Sequence, residues 1–77
     1  MVVEIITPEK KVFSGNTSYV QLPGANGSFG VLENHTNMVA VLQKGNVKIV
    51  SEDETLDFEI NGGIVEVLKN KIQVLAE

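Results

Sequence analysis

The sequence predicts an all-β protein, a small antiparallel β-sandwich of about eight to ten short strands, and three observations carry that reading. Apolar residues recur at every second position, no stretch has helical periodicity, and turn-forming residues interrupt the chain every few positions. The clearest alternation runs over residues 54–60, where Leu56, Phe58 and Ile60 share one face and Thr55, Asp57 and Glu59 the other.

Strands are expected in order at residues 2–6, 12–13, 17–22, 28–31, 38–42, 45–50, 54–60, 64–68 and 71–76. The first ends before Pro8, because proline has no N–H to give a ladder. The segment 22–38, LPGANGSFGVLENHTNM, sets Gly24, Gly27 and Gly30 around an exposed-looking Phe29. Glycines go where the backbone needs positive φ or close approach, so this reads as a shaped contact loop. Val47 and Ile49 alternate with Lys48 in the sixth strand. The polar run Ser51-Glu52-Asp53-Glu54 joins it to the seventh, and Asn61-Gly62-Gly63 breaks the chain before the eighth. Lys69-Asn70 forms the two-residue hairpin loop between the last two strands.

Strands 2–6, 64–68 and 71–76 are apolar on both faces, whereas a strand solvated on one side alternates cleanly. Val3 and Ile5 oppose Val2 and Ile6; Val65 and Val67 oppose Ile64 and Leu68. Two explanations fit this pattern. A tiny sandwich can curl enough to bury both faces, or another protein covers one of them.

Seventy-seven residues make one domain, 1–77, near the lower size limit for a self-sufficient core. A hydrophobic content of 43% supplies that core and argues against disorder, and with no tryptophan it must be mostly Val, Ile and Leu. No cysteine is present to form a disulfide or a thiolate metal site. The net charge of −4 disfavours nucleic acid, which calls for a basic patch, and Lys10-Lys11 is the only adjacent basic pair. No apolar run has the length of a membrane helix, and the N-terminus lacks signal-peptide order, so a cytosolic location without membrane insertion is expected. The sequons at Asn16, Asn26 and Asn34 are accordingly read as turn residues.

Candidate chemistry is sparse. His35 is the only group that ordinarily titrates near neutral pH. Ser28, Asp53 and Asp57 can be nominated as triad partners, but nothing in their spacing supports catalysis, and His35 beside Asn34 reads as a loop-locking hydrogen-bonder. One histidine with scattered carboxylates makes no metal cluster. The Gly24-x-x-Gly27-x-x-Gly30 spacing fits neither dinucleotide nor nucleotide-phosphate loops. Lys69 and Lys71, at a hairpin tip, raise a lipoyl or biotinyl carrier domain, whose modified lysine is flanked by methionines or by an acidic residue and alanine. Here the flanks are Leu68, Asn70 and Ile72, and a solvated turn is the simpler reading.

Four collinear segments resemble one family, the ε subunit of F-type ATP synthases, in its N-terminal β-sandwich domain. They are Val3-Glu4-Ile5-Ile6-Thr7-Pro8 through Gly15; Leu22-Pro23-Gly24 through Leu32 with Asn34-His35; Gly62-Gly63-Ile64-Val65-Glu66-Val67; and Ile72-Gln73-Val74-Leu75-Ala76. Glu33 and Asn37 stand where the family commonly has proline. The resemblance implies a non-catalytic subunit of the rotor's central stalk, held between the γ subunit and the ring of c subunits. It couples ion translocation to ATP synthesis on the cytoplasmic side of the inner membrane as a peripheral component. It further implies γ contacts at Thr7, His35 and Ala40, and c-ring contacts at Gly27, Ser28 and Phe29, where Ser28 replaces a frequent acidic residue. It favours the covered-face explanation of the two-faced strands. Family members continue into a C-terminal helical hairpin that inhibits ATP hydrolysis and in some binds ATP. This sequence stops at Glu77, so neither nucleotide nor other cofactor is expected.

Overall fold

A computed structural model describes residues 1–77 and contains nine strands and no helix. They are β1 (Val2–Ile6), β2 (Lys11–Asn16), β3 (Tyr19–Gly24), β4 (Gly27–Leu32), β5 (Met38–Leu42), β6 (Gly45–Val50), β7 (Thr55–Ile60), β8 (Gly63–Leu68) and β9 (Lys71–Ala76). One curled, hydrogen-bonded path runs β2-β1-β9-β8-β5-β3-β6-β7, with β4 attached to β3. The path folds over between β5 and β3, which pair at a single position, Gly24 opposite Leu42. Two layers result, β2-β1-β9-β8-β5 and β4-β3-β6-β7.

Period-two alternation sends one face of each layer inward. Val3, Ile5, Val65, Val67, Ile72 and Val74 from the first layer meet Val20, Leu22, Val31, Val47 and Ile49 from the second. Each is at most 2% exposed. Burying such a side chain stabilises the fold by roughly 1.5–3 kcal/mol relative to exposure. With so few aromatic residues, branched aliphatics fill the interior. Phe13, Phe29, Leu56 and Phe58 pack against its margin.

Every expected strand is present, and the differences lie at their ends and in one direction. The second strand reaches Asn16, because Ser14, Gly15 and Asn16 pair with Glu4, Val3 and Val2 regardless of their polarity. The third continues through Pro23 to Gly24. Its Pro23 stands where β3 exchanges its β6 partner, held through Gln21, for β5. The missing N–H therefore costs no ladder bond, and the Pro23 carbonyl still accepts from the Gln43 amide at 2.9 Å. The β1–β9 pair is parallel, which makes the sheet mixed within an otherwise antiparallel sandwich.

The turns follow local chemistry. Asn70 takes φ 59° in the Lys69-Asn70 loop, a conformation asparagine tolerates better than most residues. Gly63 at φ 145° opens β8, and a Cβ there would strike the Leu75 carbonyl oxygen. Ser51 closes the acidic turn by donating its amide (2.9 Å) and hydroxyl (3.2 Å) to the Glu54 carbonyl.

Candidate functional site

The outer face of the first layer carries the two-faced strands, and curling does not bury it. Register sets Val41 beside Ile64, Ile64 beside Leu75 and Leu75 beside Ile6. These four side chains form an apolar row across four strands, about 14 Å long at ordinary strand spacing. Val41 is 62% exposed, Ile64 44% and Leu75 45%, while Ile6 is half-buried. A solvated sheet face would carry polar residues here.

One step along the strands the row turns polar. Val39 pairs with Glu66, Glu66 with Gln73 and Gln73 with Glu4. Glu4 is bracketed by Lys11 at 3.1 Å and Lys71 at 3.7 Å. The hydrogen bond from Lys11 holds its carboxyl below the ordinary glutamate range, helped by the charges of both lysines and opposed by partial desolvation. The apolar row is thus bordered by Glu66, Gln73 and the ion-paired Glu4, with Val39 extending the apolar surface at the β5 edge.

At the β5 margin the row continues into an open groove of about 570 Å³ between β5 and the β3–β4 hairpin. Its walls include Phe29, Met38, Val39, Ala40 and Val41, and no lining residue is charged. The expected shaped loop is this hairpin: Gly24 pairs with Gly27 around a two-residue turn, Ala25-Asn26. Gly24 is required because a Cβ would lie 2.5 Å from the Gly27 carbonyl oxygen and 2.8 Å from the Phe29 ring. Phe29 is not the exposed aromatic it looks in the sequence. Its ring lies over Gly24 and is half-buried against the core. Ser28 is exposed on the other face of β4, where its hydroxyl accepts from the Gln21 amide at 2.9 Å.

Five of the six positions singled out from the sequence lie along this belt. Gly27, Ser28, Phe29 and Ala40 line the groove. Thr7 lies at the far end of the row, beside Ile6 and Leu75 in a shallow depression. Its hydroxyl bridges the β1–β2 turn, donating to the Lys10 carbonyl (3.2 Å) and accepting from the Lys10 amide (3.3 Å). His35 is elsewhere. It follows Leu32 at the opposite end of the sandwich, where Nδ1 donates to the Thr36 carbonyl at 2.7 Å. Asn34 at φ 64° starts that loop, and the Lys69 amide donates to Asn37 Oδ1 at 3.2 Å, tying it to the β8–β9 hairpin. The His35 side chain thus reaches only its neighbour, and the loop is tied down instead through the Asn34 amide, which donates to Asn70 Oδ1 at 3.4 Å, and through Asn37.

Val39 and Val41 are the site residues that sequence reasoning passed over. The unbroken run Met38-Val39-Ala40-Val41-Leu42 was the available signal, since it is apolar on both faces.

The chain has counterparts among known proteins. Residues 1–77 match the family described as ATP synthase, Delta/Epsilon chain, beta-sandwich domain. The ATP synthase epsilon chain of Helicobacter pylori (strain HPAG1) is 40% identical over 75 residues, 97% of this chain and 61% of that one. The epsilon chain of Pelotomaculum thermopropionicum is 42% identical over 74 residues, 96% of this chain and 55% of that one. This chain thus spans little more than half the length of these curated relatives. A chain from the Tetrahymena thermophila mitochondrial ATP synthase central stalk/c-ring structure superposes with a TM-score of 0.83 at 23% identity, over 99% of this chain and 62% of that one. A chain from the Euglena gracilis mitochondrial OSCP/F1/c-ring structure gives 0.91 at 16% identity, over 99% and 49%. At such identities these two speak for the fold alone, whereas the family pattern covers every strand of the sandwich. The chain belongs to the family of ATP synthase delta/epsilon chain β-sandwich domains.

Proposed function

We propose that residues 1–77 act as one non-catalytic β-sandwich domain in the central stalk of a rotary ATP synthase, joining the γ subunit to the c ring. The observation that carries this reading is the uncharged belt from the β4–β5 groove through Val41, Ile64 and Leu75 to Ile6. Exposed apolar surface of this continuity marks a protein-binding face. Membership of the family supplies the partner class.

In this reading γ meets Thr7, Ala40 and His35, and the c ring meets Gly27, Ser28 and Phe29. The closed sandwich serves as a stiff body with two adhesive patches. It transmits torque while the ring turns and contributes no reacting group. The domain sits peripherally on the cytoplasmic side of the inner membrane through its partners and requires no cofactor. In this reading the β-sandwich itself offers no nucleotide site.

Co-purification with γ from the same organism tests the proposal. A stable complex is expected, and Val41→Asp should abolish it while leaving the melting temperature of the free domain nearly unchanged. Failure of the unaltered domain to bind γ would overturn the reading. A carrier domain is not favoured: Lys71 is paired with Glu4, and the family match points elsewhere. Intact mass settles that point, since a lipoyl or biotinyl adduct on Lys69 or Lys71 would favour the carrier.

A further inference from the structure

We propose that Asn61 is a self-modifying position, converting to aspartate and isoaspartate through a succinimide. Asparagine followed by glycine is the sequence pair most open to this reaction, because glycine puts no side chain in the path of its own amide nitrogen. The chain has two such pairs, Asn26-Gly27 and Asn61-Gly62, and the fold treats them differently.

Asn26 occupies the two-residue turn of the β3–β4 hairpin, and Gly27 is the first residue of the ladder, paired with Gly24. In a hairpin with a two-residue loop the closing pair exchanges backbone hydrogen bonds, so the Gly27 amide is engaged and its position fixed. Asn61 lies between strands, exposed, and its side chain makes no hydrogen bond within the protein. The Gly62 amide likewise donates to no backbone carbonyl; only its carbonyl is used, accepting from the Glu77 amide at 3.0 Å. Gly62 adopts φ 135° and Gly63 φ 145°, so the backbone here is of the kind only glycine readily supplies. Gly62 is buried, but the attacking nitrogen of the 61–62 pair is held by no hydrogen bond, whereas that of the 26–27 pair is engaged in the hairpin.

The steps balance without any added reagent but water. The Gly62 nitrogen bonds to Asn61 Cγ, the Cγ–Nδ2 bond breaks, and Nδ2 leaves as ammonia carrying the proton that the Gly62 nitrogen loses. Water then adds at either carbonyl of the five-membered imide and opens one C–N bond. Opening one way leaves aspartate. Opening the other way leaves isoaspartate, with one extra carbon in the main chain. Both products add a negative charge beside the hydrogen bond from Glu77 to Gly62. The extra carbon also displaces the entry to β8, two residues before Ile64 of the apolar row. Ageing at this position alters the belt from its own backbone outward.

The test is to hold the folded domain at mildly alkaline pH and digest it with a lysine-specific protease. Peptide 49–69 contains Asn61 as its sole asparagine, and peptide 12–44 contains Asn26. Amide-to-acid mass gain and isoaspartate, read by enzymatic methyl transfer, are expected several-fold faster in peptide 49–69. In denaturant the two rates should converge, because the difference is assigned to the fold. Equal rates in the folded domain, faster conversion of Asn26, or an unchanged rate ratio on unfolding would each overturn the proposal. Asn61→Gln should suppress the mass gain in peptide 49–69 and leave peptide 12–44 as it was.

Discussion

Phe13 of β2 and Phe58 of β7 meet across the two layers, ring centroids 5.2 Å apart and planes inclined at 47°. They close the side of the sandwich where its two terminal strands, β2 and β7, have no further partner. A tilted aromatic pair is worth about 0.5–1.5 kcal/mol beyond the area it buries. Phe58→Ala is expected to cost about 2 kcal/mol, less than the roughly 3–5 kcal/mol of a fully buried phenylalanine. Denaturant unfolding of both single variants and the double variant should return a coupling energy inside the pair range.

Gly30 lies beneath the Tyr19 ring, and a Cβ there would strike the hydroxyl and the ring carbons of that residue. Gly30→Ala should therefore destabilise the domain by about 1–3 kcal/mol, the cost of forcing a packed side chain aside. Adding Tyr19→Ser should relieve most of the clash term. A thermal melt of the double variant that shows simple additivity would refute this contact. Gly24→Ala is expected to be worse, because one of its obstacles is the Gly27 backbone rather than a movable side chain.

The Glu4 carboxyl is held below its ordinary range by Lys11 and then Lys71. A depressed folded pKa stabilises the protein above the unfolded value, and that contribution is lost as pH falls through the folded one. Unfolding followed across the acid range should thus show wild type losing stability on acidification in that window. Glu4→Gln should be less stable near neutrality and flatter in acid. A parallel pair of curves would show that the lysines do not act on this carboxyl.

Ile72 is fully buried where β9 lies between β8 and β1, its neighbours in register being Val67 and Val3. Ile72→Ala should cost about 2–5 kcal/mol by leaving a cavity in a well-packed interior. By contrast Leu75→Asp, three residues on and 45% exposed, should change stability little while abolishing the proposed binding to γ. Chemical denaturation and a pull-down on the same two proteins separate the roles of the two faces of one strand.

Those two faces also mark how far the sequence could be read. Alternation at Leu56, Phe58 and Ile60 identified the inward side of β7 because its other side is charged. At Val2–Ile6 and Ile64–Leu68 both sides are apolar, and only register decides which residues form the outer row. Strand direction is equally silent in a period of two, so the parallel β1–β9 pair left no trace in the pattern. The third strand, expected to end at Leu22, runs on through Pro23 by a change of neighbour no local rule contains. The groove lay hidden for a similar reason. Phe29 and Ala40 are eleven positions apart, on strands that do not pair, and only the layering brings them to one wall.

The seam between the layers has a mechanical consequence. Most neighbouring strands are stitched through five or six successive residues, whereas β3 and β5 share only Gly24 and Leu42, flanked by amide bonds from Ala25 to Val41 and from Gln43 to Pro23. Shear that slides one layer over the other is resisted by interlocked aliphatic side chains. Tension that peels the layers apart at this corner is opposed by a few backbone bonds. Under a prying force the first opening is accordingly expected at Leu42.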